Sequence, residues 1–130
     1  MKKLFYPAIF KSEQDGYSVT FPDFTECVTE GDTLEEAYSM AFDALGLCIE
    51  DYNESKKVLP QASNPNQVKA NQDSFIAIIE FDMLAYERKH SNKAIKKTLT
   101  IPAWLNSIAE EQHINFSSVL QQALKEQLHV

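Results

Sequence analysis

The sequence lacks any long uninterrupted hydrophobic run. No stretch approaches the roughly 20 apolar residues that cross a bilayer. The beginning, Met1-Lys2-Lys3-Leu4-Phe5-Tyr6-Pro7, lacks the apolar segment of a secretion signal. Hydrophobic residues still make up 44% of the 130 positions, enough for one ordinary core or for a small core and a dimerising tail. We therefore expect a cytoplasmic protein that makes no contact with a membrane.

Residues suited to metal binding or nucleophilic catalysis are also few. The histidines and cysteines show no metal-ligand spacing; they are His90, His113, His129, Cys27 and Cys48. No glycine-rich loop of the kind that binds phosphate is present in the sequence. In a reducing compartment the two cysteines are expected as buried thiols. These observations predict a protein with no catalytic residues, no cofactor and no metal.

Positive charge is scarce and unevenly distributed. The formal net charge is −7, which argues against nucleic-acid binding by the chain as a whole. Residues 1–92 hold 8 basic and 16 acidic residues, a net charge of −8, whereas residues 93–130 hold 4 and 3, a net charge of +1. Three of those four lysines, Lys93, Lys96 and Lys97, mark the start of the second part. We expect two modules, 1–92 and 93–130, with an acidic body that suits a basic protein and a tail that can approach DNA.

The body begins with the pattern of a β-hairpin. Two segments rich in aromatic and β-branched residues, Phe5 to Phe10 and Tyr17 to Phe21, flank the polar turn Glu13-Gln14-Asp15-Gly16. Glu26 to Glu30 forms a third short extended segment before Gly31. The sequence thus predicts three consecutive strands.

A long amphipathic helix is predicted next. Thr33 can cap it, with Glu36 three residues later. Its expected buried face is Leu34, Ala37, Tyr38, Ala41, Leu45, Cys48 and Tyr52. Ser74 to Phe81 is an apolar run that predicts a fourth strand, and Asp82 to Lys93 a linker or short helical connector. The body is therefore predicted to be α+β, in the order β-β-β-α-β.

The tail has the pattern strand, helix, turn, helix. Lys96 to Ile101 alternates between two faces and Pro102 ends it, Ala103 to Gln112 predicts a helix, and Ser117 is the expected N-cap of a second. These elements bury too little apolar surface in a single chain, so an intermolecular ribbon in a homodimer or higher homo-oligomer is expected. The predicted dimerisation residues are apolar: Leu99, Ile101, Trp104, Leu105, Ile108, Val119, Leu120 and Leu124.

This order resembles the ribbon-helix-helix family, whose two-stranded ribbons read the major groove of DNA. The resemblance implies base contacts from Lys96, Thr98 and Thr100, supported by Lys97. It also implies that the start of the second helix, Asn115, Ser117 and Ser118, contacts a phosphate. The alternative is that Lys96 and Lys97 are solvated charges on a strand that only joins the dimer.

The body resembles the HicB antitoxin family in several linked motifs. They are Asp15 to Phe24 (DGYSVTFPDF), Thr29 to Ala37 (TEGDTLEEA) and Leu59-Pro60. The resemblance implies a partial ribonuclease-H-like fold that inhibits a small basic HicA-type ribonuclease toxin by covering its catalytic histidine and RNA surface. Candidate toxin contacts are Tyr17, Phe21, Asp23 and Phe24, with Glu35, Glu50 and Glu54 as steering charges. For Tyr17 and Phe21, core packing is the favoured alternative.

Two other functions stay open at this point. One is a ribbon-helix-helix transcriptional regulator whose N-terminal module senses another protein or a ligand. The other is a two-metal nuclease that uses clustered carboxylates, for which the candidates are Asp23, Glu26, Asp32, Asp43 and Glu80. We favour the antitoxin, which would also repress its own operon as a dimer bound to operator DNA.

Overall fold

A computed structural model describes residues 3–91 and 93–130, and the chain divides into two compact units after Lys93. The first unit contains β1 (Lys3–Glu13), β2 (Gly16–Phe21), β3 (Phe24–Gly31), α1 (Leu34–Glu54), β4 (Ser74–Asp82) and α2 (Met83–His90). The second contains α3 (Ala103–Glu111) and α4 (Phe116–Leu128). The predicted α+β class and the order of the first five elements are confirmed.

The four strands form one antiparallel sheet in the order β3-β2-β1-β4. The β1–β2 hairpin closes at the pair Glu13↔Gly16, as the polar turn predicted. Gly16 has a φ of +149° and lies against the carbonyl of Gly31, so a side chain at this position would meet backbone. The turn therefore depends on glycine both for its conformation and for the close approach of β3.

α1 covers one face of the sheet and supplies four of the buried hydrophobic residues of the core. The Thr33 side chain accepts a hydrogen bond from the amide of Glu36 at 3.1 Å, which confirms the predicted cap. The buried side chains recur every four residues, at Ala37, Ala41, Leu45 and Ile49. The predicted buried face of α1 is wrong at three positions. Leu34 and Tyr38 are exposed, and Ile49, which the prediction omitted, is buried.

The segment after β4 is a helix that belongs to the core. Asp82 caps α2 by accepting from the amide of Leu84, and the ring of Tyr86 is buried with Phe42 and Phe81. The helical connector is thus confirmed, but it is not a free linker, since one of its side chains completes the first unit. Asn92, at the end of the expected linker, lies outside the described residues, as do Met1 and Lys2.

The polar segment between α1 and β4 is held to the sheet by side-chain hydrogen bonds. The Tyr6 hydroxyl donates to the Pro60 carbonyl at 2.7 Å, and the amide of Ser63 donates to an Asp23 carboxylate oxygen at 3.0 Å. Residues further along, including Val68, line a shallow cavity with Ile9 and Pro22. The segment therefore partly covers the sheet face opposite α1.

In the second unit the predicted N-cap is corrected, whereas the predicted intermolecular strand stays a prediction. Lys96 to Ile101 has no strand assignment in the single chain, because a ladder requires a second strand and the described residues 93–130 contain none. The N-cap of α4 is Asn115, whose side chain accepts from the amide of Ser118 at 3.1 Å, and not Ser117. Ser117 is already inside the helix, where its hydroxyl accepts from Gln121 at 3.0 Å. Among the described residues, no helix has the length and hydrophobicity needed to span a membrane.

Candidate protein and nucleic-acid interfaces

Two of the aromatic residues predicted to contact a partner belong to the core. Phe21 and Phe24 are 2% and 1% exposed. The ring of Phe24 packs edge-on against Tyr6 and Tyr52, with centroids 4.8 and 5.4 Å away. The prediction that Phe21 and Phe24 form a contact surface is therefore wrong, because the β2–β3 turn directs both rings beneath α1. For Phe21, the alternative of core packing is the observed one.

The remaining predicted contacts of β2 and its turn are only partly accessible. Tyr17 is half-buried and lies edge-on to Phe75 with a centroid distance of 6.2 Å. Asp23 is half-buried, and its carboxylate accepts from both the amide and the hydroxyl of Ser63. These bonds assign Asp23 a structural role in fixing the segment before β4, whatever else the residue contacts.

The outer face of α1 is acidic. The helix has six acidic residues and no basic residue along its 21 positions. Of the predicted steering charges, Glu35 and Glu54 are exposed and Glu50 is half-buried. Met40 and Leu47, which the prediction omitted, are exposed on the same outer face, seven residues apart. Their helical spacing relative to the buried face could have revealed them in the sequence.

One carboxylate of α1 is neutralised by α2. Asp43 accepts from Lys89 Nζ at 2.9 and 3.1 Å and lies 2.9 Å from His90 Nε2. Burial acts to raise the pKa of Asp43, but the hydrogen bonds from Lys89 and His90 outweigh it and leave the pKa below its usual value. The pair thus fastens the end of α2 to the middle of α1.

The carboxylates considered for a metal site do not assemble into one. Asp43 is paired with α2, Asp23 with Ser63, and Glu80 with Lys3 Nζ at 2.9 Å. Within residues 3–91 and 93–130, no group of three His, Cys, Asp or Glu side chains has the arrangement of a metal site. The described carboxylates therefore offer a divalent cation no ready set of ligands.

Both cysteines are free thiols in the described structure, and the predicted burial is confirmed for Cys27 only. Cys27 is buried on β3 and Cys48 is half-buried on α1. Burial, together with the neighbouring Cys48, raises the pKa of the Cys27 thiol well above its ordinary value. Cys27 is consequently a core residue with little thiolate character.

The second unit exposes nearly all of its predicted dimerisation residues. Neither α3 nor α4 contains a buried residue, and Trp104 is 66% exposed. Leu120 is half-buried, and the other predicted residues are exposed: Leu99, Ile101, Leu105, Ile108, Val119 and Leu124. A unit of this size with an uncovered apolar surface needs another surface to cover it.

The predicted DNA contacts fall into two groups in this unit. Lys96, Lys97, Thr98 and Thr100 are exposed in the extended segment before α3. The second group lies at the start of α4 and comprises Asn115, Ser117 and Ser118. The Asn115 side chain there already accepts a hydrogen bond from the amide of Ser118. Backbone amides at the start of this helix carry the positive end of its dipole.

Comparison with known proteins relates both units to one family. The profile described as "HicB_like antitoxin of bacterial toxin-antitoxin system" matches residues 5–124, which covers most of the chain. The chain belongs to the HicB-like antitoxin family. The resemblance recognised in the sequence is thereby confirmed.

Individual relatives of this HicB-like chain agree with the family match. The chain is 37% identical to "Antitoxin HicB 2" of Photorhabdus laumondii over 76 residues, which is 58% of this chain and about half (55%) of that protein. It is 32% identical, with a TM-score of 0.60, to a chain of a solved toxin-antitoxin complex from Streptococcus pneumoniae, over 97% of this chain and 99% of that one. The antitoxin HicB of Burkholderia pseudomallei shares the fold, with a TM-score of 0.51 at 20% identity.

Proposed function

We propose that this HicB-like chain is an antitoxin that binds and neutralises a HicA-type ribonuclease toxin and, as a dimer, represses its own operon by binding operator DNA. The observation that carries the proposal is the family match, which continues through both units. The similar chain from Streptococcus pneumoniae comes from a complex of a toxin with an antitoxin. In this proposal the first unit is the partial ribonuclease-H-like toxin-binding domain and the second is the ribbon-helix-helix domain.

Charge complementarity supports toxin binding by the first unit. An RNA-cleaving toxin must present a basic surface to phosphates, and α1 has no basic residue and five carboxylates besides Asp43, which is paired with α2. The exposed Glu35 and Glu54 would accelerate encounter, and the exposed Met40 and Leu47 between them would supply apolar contact after docking. Asp23 and Tyr17, which are both half-buried, remain candidates near opposite ends of β2.

The uncovered surface of the second unit supports dimerisation. Two copies of Lys96 to Ile101 would pair as an antiparallel ribbon and satisfy the backbone groups that the single chain leaves without a ladder. The same association would cover Leu99, Ile101 and Trp104, which are exposed in the single chain. A two-stranded ribbon of this kind has the dimensions of the major groove.

The charges of the second unit support DNA binding by that ribbon. Lys96, Thr98 and Thr100 share one side of the extended segment by alternation, and hydroxyl and ammonium groups are suited to base edges. The amides at the start of α4 would hold a phosphate and set the register of the protein on the duplex. The segment has only two lysines, so specificity rather than high non-specific affinity is expected.

The test is co-expression of the full chain with the small basic protein encoded beside it. A stable complex that no longer cleaves RNA supports the antitoxin, and no complex contradicts it. If no complex forms but the chain alone binds DNA upstream of its gene, the protein is a transcriptional regulator whose first unit senses something else. RNA cleavage by the chain alone, dependent on a divalent metal, would instead indicate an enzyme.

Removal of residues 96–130 separates the two proposed activities. Operator binding should be abolished and self-association weakened, because both are assigned to the second unit. Inhibition of the toxin should be largely retained, because the first unit has its own core of buried residues. Loss of inhibition in the truncated chain would contradict the division into two functional modules.

A further inference from the structure

The strand β3 and the helix α1 lie against each other and run in opposite directions. At one end Gly31 packs so closely on Ala37 that a side chain at position 31 would overlap the helix backbone. At the other end the rings of Phe24 and Tyr52 meet edge-on, with centroids 5.4 Å apart. The strand from Phe24 to Gly31 and the helix from Ala37 to Tyr52 each span about 23 Å, so the two contacts agree in length. The two elements are therefore aligned in a fixed register.

This register brings the two cysteines of the chain to the same level. Cys27 follows Phe24 by about 10 Å along the strand, and Cys48 precedes Tyr52 by about 6 Å along the helix. Helical side chains tilt toward the N-terminus, which closes the remaining difference. Both side chains pack in the core between the sheet and α1, where their thiols are in hydrogen-bonding contact. The two sulfur atoms are therefore neighbours, although they belong to different elements.

The two thiols differ in their reactivity. Burial raises the pKa of both, and the contact between them raises the pKa of Cys27 further but acts to lower that of Cys48. Cys48 is half-buried, whereas Cys27 is 2% exposed. Because the thiolate is the reacting form and an oxidant must reach it, Cys48 is the first to react. Cys27 reacts only with a sulfur that already lies beside it.

We propose that Cys27 and Cys48 form a reversible redox site, which a hydroperoxide oxidises to a disulfide that joins β3 to α1. The Cys48 thiolate attacks a peroxide oxygen, so that an S–O bond forms while the O–O bond breaks, and the leaving hydroxide takes the proton that Cys48 has lost. The Cys27 sulfur then attacks Cys48; the S–S bond forms, the S–O bond breaks, and the hydroxide leaves as water with the Cys27 proton. The two thiols lose two protons and two electrons, and hydrogen peroxide becomes two molecules of water.

The disulfide would fasten α1 to the sheet. It closes a loop over residues 27–48, which contains the Thr33 cap and most of α1. Such a bond restricts the unfolded chain, and the reduced protein already places the two elements in register, so the oxidised form should be the more stable. For a loop of this length the equilibrium constant of unfolding should fall about a hundredfold. A dithiol reverses the step by thiol–disulfide exchange. The proposal needs neither toxin nor DNA and is independent of the proposed function.

The experiment treats the folded, reduced, full-length chain with an equimolar amount of hydrogen peroxide. Thiols that remain are then counted by alkylation with a maleimide in denaturant. The wild type should lose both thiols without forming a covalent dimer, and its mass should fall by two hydrogen atoms. Because the chain has only two cysteines, a disulfide within one chain must join Cys27 to Cys48. Dithiothreitol should restore both thiols, and urea unfolding compares the stability of the two forms.

Substitutions test the order of the two steps. Cys27→Ala leaves Cys48 without a partner, so peroxide should produce a sulfenic acid that dimedone labels. Cys48→Ala should leave Cys27 unmodified at the same dose. The matched control combines Cys48→Ala with Leu47→Cys, which moves the thiol by one position to the outer face of α1, where Leu47 is 63% exposed. This chain still has two thiols but should form no disulfide within itself.

Three results would overturn the proposal. They are the retention of both thiols by the peroxide-treated wild type, a disulfide within the control chain at the yield of the wild type, and an oxidised form that unfolds at the same or a lower urea concentration than the reduced form. Circular dichroism establishes that each variant is folded. The measurements on the wild type need no substitution, so they decide the matter even where a variant fails to fold.

Discussion

Gly46, in the middle of α1, lies directly against the ring of Tyr86 on α2. A methyl group added at position 46 would overlap the edge of that ring, with Cε1 and Cδ1 as the nearest atoms. Glycine inside a helix costs about 0.5–1 kcal/mol relative to alanine, so its presence here requires a compensating contact. The contact is the buried Tyr86 ring, which joins α2 to the core beside Phe42 and Phe81.

Gly46→Ala should therefore destabilise the protein, although the same substitution in an open helix would stabilise it. The added methyl group must displace Tyr86, and overpacking of this kind typically costs about 1–3 kcal/mol in the free energy of unfolding. Urea unfolding of Gly46→Ala, Tyr86→Ala and the double variant measures the coupling. Once the ring is removed, Gly46→Ala should be neutral or stabilising. Equal losses in both backgrounds would contradict the role assigned to Tyr86.

The Asp43 pair should make stability depend on acid pH. Because the pKa of Asp43 is lowered in the folded state, where hydrogen bonds from Lys89 and His90 outweigh the effect of burial, the ionised carboxylate stabilises the fold above its unfolded pKa of 3.8. This contribution is lost as the pH falls through the lower folded pKa. The free energy of unfolding, measured from pH 7 to pH 3, should fall more steeply for the wild type than for Asp43→Asn. Parallel curves would show that the pair contributes nothing to the acid response.

Asp23 should act through the segment that follows α1. Asp23→Ala removes the acceptor of two hydrogen bonds from Ser63, which should lower the free energy of unfolding by about 1–3 kcal/mol. Limited proteolysis should cut residues 59–73 faster in this variant. Asp15→Ala, at the exposed tip of the first hairpin, is the control and should leave both measurements unchanged. If Asp23→Ala weakens toxin binding but not stability, the residue is a direct contact instead.

Lys96 should contribute to operator affinity more than a lysine outside the proposed ribbon. If Lys96 contacts DNA, Lys96→Ala should weaken binding and, where the contact is to a phosphate, reduce the slope of log affinity against log salt by about one. Lys125→Ala, in the last turn of α4, is a matched control that removes the same charge from the same unit. Equal effects of the two substitutions would favour the alternative in which Lys96 is a solvated charge on a strand that only joins the dimer.

Local patterns in the sequence were sufficient for the elements of the first unit. The hairpin turn ending in Gly16, the cap at Thr33 and the apolar run from Ser74 each act through neighbouring residues, and the structure contains the corresponding elements. Core packing was the favoured alternative for Phe21, and its side chain is buried. The burial of Phe24 was not predicted, because the alternation of a strand does not extend to a residue beside a turn. Its burial depends on contacts with Tyr6 and Tyr52, which are distant in the sequence.

The helix boundaries of the tail illustrate a second limit. Asn115 and Ser117 are both good N-cap residues, so residue preference does not identify which of them is the N-cap. The structure uses Asn115, which lets Phe116 begin the helix. The ion pairs of Asp43 with Lys89 and of Glu80 with Lys3 could not be predicted from the sequence either, because the two partners are 46 and 77 positions apart.

Neighbouring residues were enough to predict the order of elements in the first unit, the acidic body, the near-neutral tail and the resemblance to the HicB family, because period, capping and charge are local properties. Three features required the folded chain: Tyr86 completes the core over Gly46, Asp23 holds Ser63, and β3 and β4 form the two edges of the sheet. Each of these depends on contacts between residues far apart in the chain, and such contacts exist only after the backbone has closed on itself.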